Sequence, residues 1–229
     1  LQEAESSYRK AIELEPDFAN AHNNLGTILK DLGKLQEAEL SLHKAIALKP
    51  DYIDPLWNLY GLASNIQEAE KRINQCLKID KHCLNAYFTL SALKLHQGDP
   101  SLFDNLIESK HKDHSWIRSI QWVSTLPTLP KLFFSKWSFF DNMIEKSKKD
   151  RPFYEFGVWR ATAFKYLINT LKKGYGFDTF EGLPEDWHKE KKGTFPTDGI
   201  IPKIDGGRFI AGKFEDTLPS FFSKPRPMA

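Results

Sequence analysis

Four pairs of residues recur at one spacing: Ala4 and Ala38, Ala11 and Ala45, Leu14 and Leu48, and Pro16 and Pro50 are each 34 residues apart. A period of that length means that one supersecondary unit is copied along the chain, and each copy buries its apolar face only by stacking on a neighbour. Within residues 19–52, Gly26, Ala38 and Ala45 are small where two helices have to approach closely. Leu25, Leu29, Leu42 and Ile46 are placed to fill the seam between those helices. Gly33 marks the turn and Pro50 the end of the unit. These positions predict antiparallel helix pairs stacked into a solenoid.

The pattern, with Asn24-Leu25-Gly26 in the first helix and Ala38, Leu42 and Ala45 in the second, resembles the tetratricopeptide repeat. Leu1 to Pro16 match only the second helix of a repeat, so the chain is expected to start inside one and to be preceded by others. A third unit carries Leu56, Leu59, Ala69 and Leu77, with a three-residue deletion near 63–66 and Lys81 where proline is expected. A degenerate fourth, from Leu84 to about Lys110, keeps Tyr87, Leu90 and Gly98 and reads as a terminal cap. The resemblance implies a protein partner held in the groove of the array.

Two helical stretches are predicted in residues 111–150, a segment read as linker and capping helices. One runs from about Trp116 to Thr125, with Trp116, Ile120 and Val123 on one face. The other runs from about Lys131 to Lys148, with Phe133, Trp137, Phe140 and Ile144 at helical spacing, read as a core stripe, with a substrate- or membrane-binding stripe as the alternative. His111 and His114 form an HxxH pair among lysines, which reads as solvated linker. The 32 basic and 30 acidic residues nearly cancel, so charge gives no general attraction to nucleic acid or to an anionic membrane. No apolar run has the length of a membrane span. Two cysteines, Cys76 and Cys83, lie outside any CxxC pair and are expected to stay reduced, in keeping with a cytoplasmic location.

From Arg151 the chain alternates strands and helices, which implies a parallel sheet. Residues 152–158 read as a buried strand ending at Gly157, Thr162 to Leu171 as a helix, 174–178 as a second strand and 208–212 as a third. A long glycine- and proline-marked loop, 181–205, separates the last two. Gly157 lets the backbone approach a ligand, and the helix that starts at Thr162 offers free N–H groups. Asp178 follows Gly157 by 21 residues, a distance suited to a carboxylate that accepts hydrogen bonds from two ribose hydroxyls. Glu155 is placed to meet a cationic or amino group. Topology alone leaves a cofactor pocket and plain sheet architecture both open.

Glu155-Phe156-Gly157-Val158-Trp159, then 176–185 (GFDTFEGLPE), 192–195 (KGTF) and 212–219 (GKFEDTLP), resembles the macrocin O-methyltransferase type of class I methyltransferases. The likeness covers about 151–229. It implies strands one to three of a seven-stranded Rossmann-like sheet, making the whole chain α plus α/β. It also implies methyl transfer from S-adenosylmethionine to an oxygen of a small molecule or glycan, with magnesium held in many relatives by residues beyond the end of this chain. Glu155 and Gly157 would then sit at the methionine end of the cofactor, and Phe156 and Thr162 would also belong to the cofactor site. Asp178 would hold the ribose, with Thr179 and Phe180 beside it, and Gly212, Lys213 and Phe214 would lie at the adenine edge. Ala161 stands where the family has a further glycine.

The domains expected are therefore repeats over 1–110, helical linker over 111–150 and half a methyltransferase over 151–229. No catalytic residue or metal ligand is named, and the edge of the first strand is expected to be open and prone to self-association. His188 is a candidate for the substrate entrance. The alternative reading is a non-catalytic tetratricopeptide scaffold with a degenerate α/β appendage. A third, a repeat-fused glycosyltransferase, offers no reason for the 178–184 block.

Overall fold

Small residues at fixed intervals become paired helices. The structure, a computed structural model, describes residues 1–187 and 189–229, and it divides into two units, Leu1–Ser138 and Phe139–Ala229. The segment 111–150, read from the sequence as a linker, is thus shared between them. Among the described residues there are eleven helices and a three-stranded parallel sheet.

In the first unit, α1 (Gln2–Leu14) precedes three helical hairpins: α2 (Ala19–Asp31) with α3 (Leu35–Leu48), α4 (Ile53–Tyr60) with α5 (Ile66–Ile79), and α6 (Leu84–His96) with α7 (Ser101–Ile107). Gly26 is where α2 and α3 meet. A β-carbon there would lie 2.6 Å from Leu42 Cγ, so only glycine permits the approach. Leu29, Leu42, Ala38 and Ala45 are fully buried around it. Each large apolar side chain so buried contributes roughly 2 kcal/mol, which holds the hairpin together. The shortened third unit has a local reason. Asn65 caps α5 by accepting from the Glu68 N–H at 2.9 Å, while the Glu68 carboxylate accepts from the Ser64 N–H at 3.0 Å. This reciprocal cap starts α5 early.

Two sequence expectations shift here. In α8 (Ser115–Ser124) the buried residue is Ile117, with Ile120 beside it, and Trp116 is 42% exposed. Ile120 keeps its predicted place, while Ile117 rather than Trp116 is the residue buried. His111 and His114 are not merely solvated, because both rings stand against Phe88, at 5.7 and 4.9 Å. The helix predicted over 131–148 begins instead at Lys136 (α9, Lys136–Lys146). Residues 131–135 are non-helical, and Leu132 and Phe134 pack against the cluster formed by Leu56, Ala63, Ile73 and Leu93. Alternate residues facing one core suit an extended chain, and Pro130 does not favour helix before them.

In the second unit, β1 (Phe153–Phe156), β2 (Gly174–Asp178) and β3 (Gly207–Ala211) run parallel with β2 in the centre. α10 (Thr162–Leu171) connects β1 to β2 and buries Phe164 against Phe153 and Phe209, with ring centroids 4.7 and 4.6 Å apart. On the other face, Tyr154, Tyr175 and Phe177 meet Phe221 and Phe222, at and just after the end of α11 (Phe214–Phe221). β1 is an edge strand, as expected. The chain's last residues touch that edge: the Ala229 N–H donates to Pro152 O at 3.0 Å, and the Tyr154 hydroxyl donates to Pro227 O at 3.1 Å. No helix among the described residues is long and apolar enough to cross a membrane.

Candidate functional site

Parallel strands that end together leave their following turns to form a crevice, and here the turns after β1, β2 and β3 enclose a cavity of about 680 Å³. Gly157 reverses the chain after β1 with φ +85°, and a β-carbon there would meet nothing within 4 Å. The cradle is open at the place where the sequence asked for room. Gly157 N–H donates to Phe177 O at 2.8 Å, which continues the β1–β2 ladder into the turn.

Asp178, at the end of β2, faces this cavity. Its Oδ2 accepts from the Trp159 N–H and its Oδ1 from the Phe180 N–H, both at 2.8 Å. One carboxylate thus ties the turn after β1 to the turn after β2. Two of its four lone-pair directions are used in this way, which leaves acceptor capacity for a ligand. Glu155 lies deeper, on the same face of the sheet. Its Oε2 is buried and has no hydrogen-bond partner among the described residues. Burial, with the Asp178 charge adding to it, pushes the Glu155 carboxyl up to about 7.

Of the residues predicted for a cofactor, Gly157, Asp178, Thr179, Lys213 and Phe214 line the cavity together. The others do not line it. Phe156 turns to the opposite face of the sheet and stacks on Phe177 at 5.2 Å. Phe180 is 1% exposed and joins the core beside Phe209. Thr162 opens α10, and Gly212 N–H donates to Asp178 O at 3.0 Å as backbone support. Ala161, where the family pattern has glycine, is buried in the left-handed region at φ +58°. The position keeps a glycine-like conformation although the residue is alanine.

Sequence reading missed the aromatic side of the cavity. Trp159 and Phe195, from separate loops, meet edge to face at 5.9 Å, and the Arg160 guanidinium lies 4.8 Å from the Trp159 ring. Both aromatic residues have positive φ, +48° and +64°. The loop after β2 reaches the cavity by folding on itself: Leu183 N–H donates to Thr194 O and Gly193 N–H to Leu183 O, each at 2.9 Å. Leu183, Pro184 and Glu185 of this loop also line the cavity, whereas His188 lies outside the described residues. No group of three or more His, Cys, Asp or Glu side chains among the described residues is arranged to hold a metal ion.

Comparison with family models bears on the first unit. A family model for the tetratricopeptide repeat matches residues 7–39. No curated protein sequence matches the chain. Among solved structures, a mutant O-GlcNAc transferase from Thermobaculum terrenum aligns over 76% of this chain at 16% identity, with a TM-score of 0.42. The alignment spans 33% of that transferase.

Proposed function

We propose that the chain is a protein-interaction scaffold whose tetratricopeptide array holds a partner segment. The observation that carries this reading is the repeat match at 7–39, which continues in the structure as helical hairpins through α7. Stacked hairpins present a long surface built from successive first helices, and such surfaces suit extended peptides. Selection from a displayed peptide library against the whole chain tests the reading. Enrichment of a common motif supports it, and a library that never converges counts against it.

A second reading, S-adenosylmethionine-dependent O-methyl transfer by the α/β unit, is favoured by one observation: Gly157 and Asp178 open onto the same cavity. The residues present suit that cofactor. Asp178 retains acceptor capacity for a ribose diol, Gly157 leaves space, and Phe214 offers an aromatic face. Glu155, buried nearby with an unpaired oxygen, would complement a cationic group. When bound, the cofactor would supply an electrophilic methyl group. The chain would contribute orientation of that ligand and exclusion of water by the aromatic loops. No magnesium site is assigned to this chain. Calorimetry with S-adenosylmethionine decides the matter. Binding that is lost in Asp178→Ala, with the fold intact, supports methyl-donor binding, and a folded chain that ignores the cofactor leaves the scaffold alone.

A further inference from the structure

The segment from Pro130 to Trp137, non-helical as far as Ser135 and ending in the first turn of α9, crosses the C-terminal ends of three successive first helices of the repeats. At α6, His96 Nε2 is 3.1 Å from Pro130 O. At α4, the Phe134 ring meets Tyr60 edge to face at 5.7 Å. At α2, the Trp137 indole N–H donates to Lys30 O at 2.6 Å, and the ring lies over Gly33, where a β-carbon would be 3.5 Å from it. Lys136 pairs with Asp31 at 3.3 Å. Trp137 is only 3% exposed, yet it belongs to no repeat.

This is how a bound peptide looks. The segment is non-helical as far as Ser135, it places apolar anchors at Leu132, Phe134 and Trp137, and Lys136 stands at the C-terminal end of α2, where a cation is favoured. Before α9 begins, its contacts are side-chain anchors and single hydrogen bonds rather than a helix or strand ladder. Segments held in that way open at lower free energy than packed helices.

We propose that residues 130–137 are an intramolecular ligand of the repeat array, and that a partner segment of the same chemistry, an extended peptide with aromatic anchors and flanking lysines, binds by displacing them. The inference rests on the scaffold reading and gives the partner its chemistry. It also makes partner binding conditional on release of the strap, because the apparent affinity falls with the fraction of molecules in which the surface is free.

The probe is a fluorescent peptide of residues 129–138, titrated into the whole chain and into Trp137→Ala, with helix content checked by circular dichroism. At least tenfold tighter binding to the variant is expected, together with loss of that binding when the peptide's own tryptophan is replaced. Equal binding, or none, by a folded variant overturns the proposal. If the variant does not fold, hydrogen exchange on the wild-type chain decides instead. Amides of 131–137 that exchange at least a hundredfold faster than those of α2–α6 support a displaceable strap, and equal rates show a permanent brace. A library-selected peptide that binds without competition from the strap peptide leaves the scaffold reading standing while this inference falls.

Discussion

The Asp178 carboxylate receives the Trp159 N–H at 2.8 Å, so the end of one strand fixes the turn that follows another. The same side chain also holds the Phe180 N–H. Hydrogen bonds to a charged group contribute roughly 1.5–3 kcal/mol each, and part exposure of the site puts these at the low end. Asp178→Ala should therefore destabilise the α/β unit by about 2–3 kcal/mol. Asp178→Asn, which keeps one acceptor oxygen, should cost about half as much. Urea unfolding of the three proteins measures this, and a loss below ~0.5 kcal/mol in the alanine variant would refute the clamp.

Glu155 gives the unit a distinctive pH response. Its folded value, about 7, lies above the ordinary 4.5, because burial disfavours the charged carboxylate and Asp178 opposes it further. The stability this group contributes is therefore fully present below pH 4.5 and is lost as pH rises through about 7. At about 1.4 kcal/mol per pH unit the difference amounts to ~3 kcal/mol, and partial solvent access trims it to ~2. Glu155→Gln should remove that slope. The comparison to make is wild type against variant, with unfolding free energies at pH 4.5, 6 and 7.5; parallel curves would show that Glu155 does not carry the effect.

The repeats were legible because helix contact demands small residues at set places, and Gly26, Ala38 and Ala45 declare those places without any knowledge of the fold. Gly157 and Asp178 were legible for a similar reason: a strand, a reversal and an acidic strand end follow one another locally. Residues 131–135 were not. Phe133, Trp137 and Phe140 satisfy helical spacing, while Leu132 and Phe134 satisfy extended spacing, and only the repeat surface chooses between the two. The aromatic side of the cavity was hidden for another reason. Trp159 and Phe195 meet only because each adopts a left-handed backbone that residue type does not announce. Phe156 and Phe180, by contrast, were assigned to the site from a motif, but strand alternation and core packing send their rings elsewhere.

Trp137 can be dissected further. Its N–H reaches Lys30 O, which also accepts from the Gly33 N–H at 3.1 Å. Removing the indole donor thus leaves no orphaned carbonyl, and Trp137→Phe should cost only about 1 kcal/mol. Trp137→Ala deletes a buried ring and should cost about 3 kcal/mol or more if the strap stays docked. If the strap releases instead, the alanine cost falls, because the exposed segment regains conformational freedom. Thermal denaturation of both variants separates these cases: an alanine penalty close to that of phenylalanine marks release.

Gly26 supplies the strictest test of the repeat geometry. A methyl group there would lie 2.6 Å from Leu42 Cγ, 2.7 Å from Leu42 Cδ2 and 3.2 Å from the Ala38 carbonyl oxygen. Leu42 is fully buried and cannot swing away without displacing its neighbours. In an exposed helix, alanine would outdo glycine by about 1 kcal/mol, and that gain is present here too. Overpacking of a tight core costs typically 1–3 kcal/mol, and the backbone oxygen nearby cannot yield as a flexible side chain would. The steric effect wins, so Gly26→Ala should lower the unfolding free energy of the repeat unit by about 1–2 kcal/mol. Gly26→Ala combined with Leu42→Ala should lose less than the sum of the two single changes, because each relieves the other. Additive losses in that double-mutant cycle would mean that α2 and α3 are not held together through this contact.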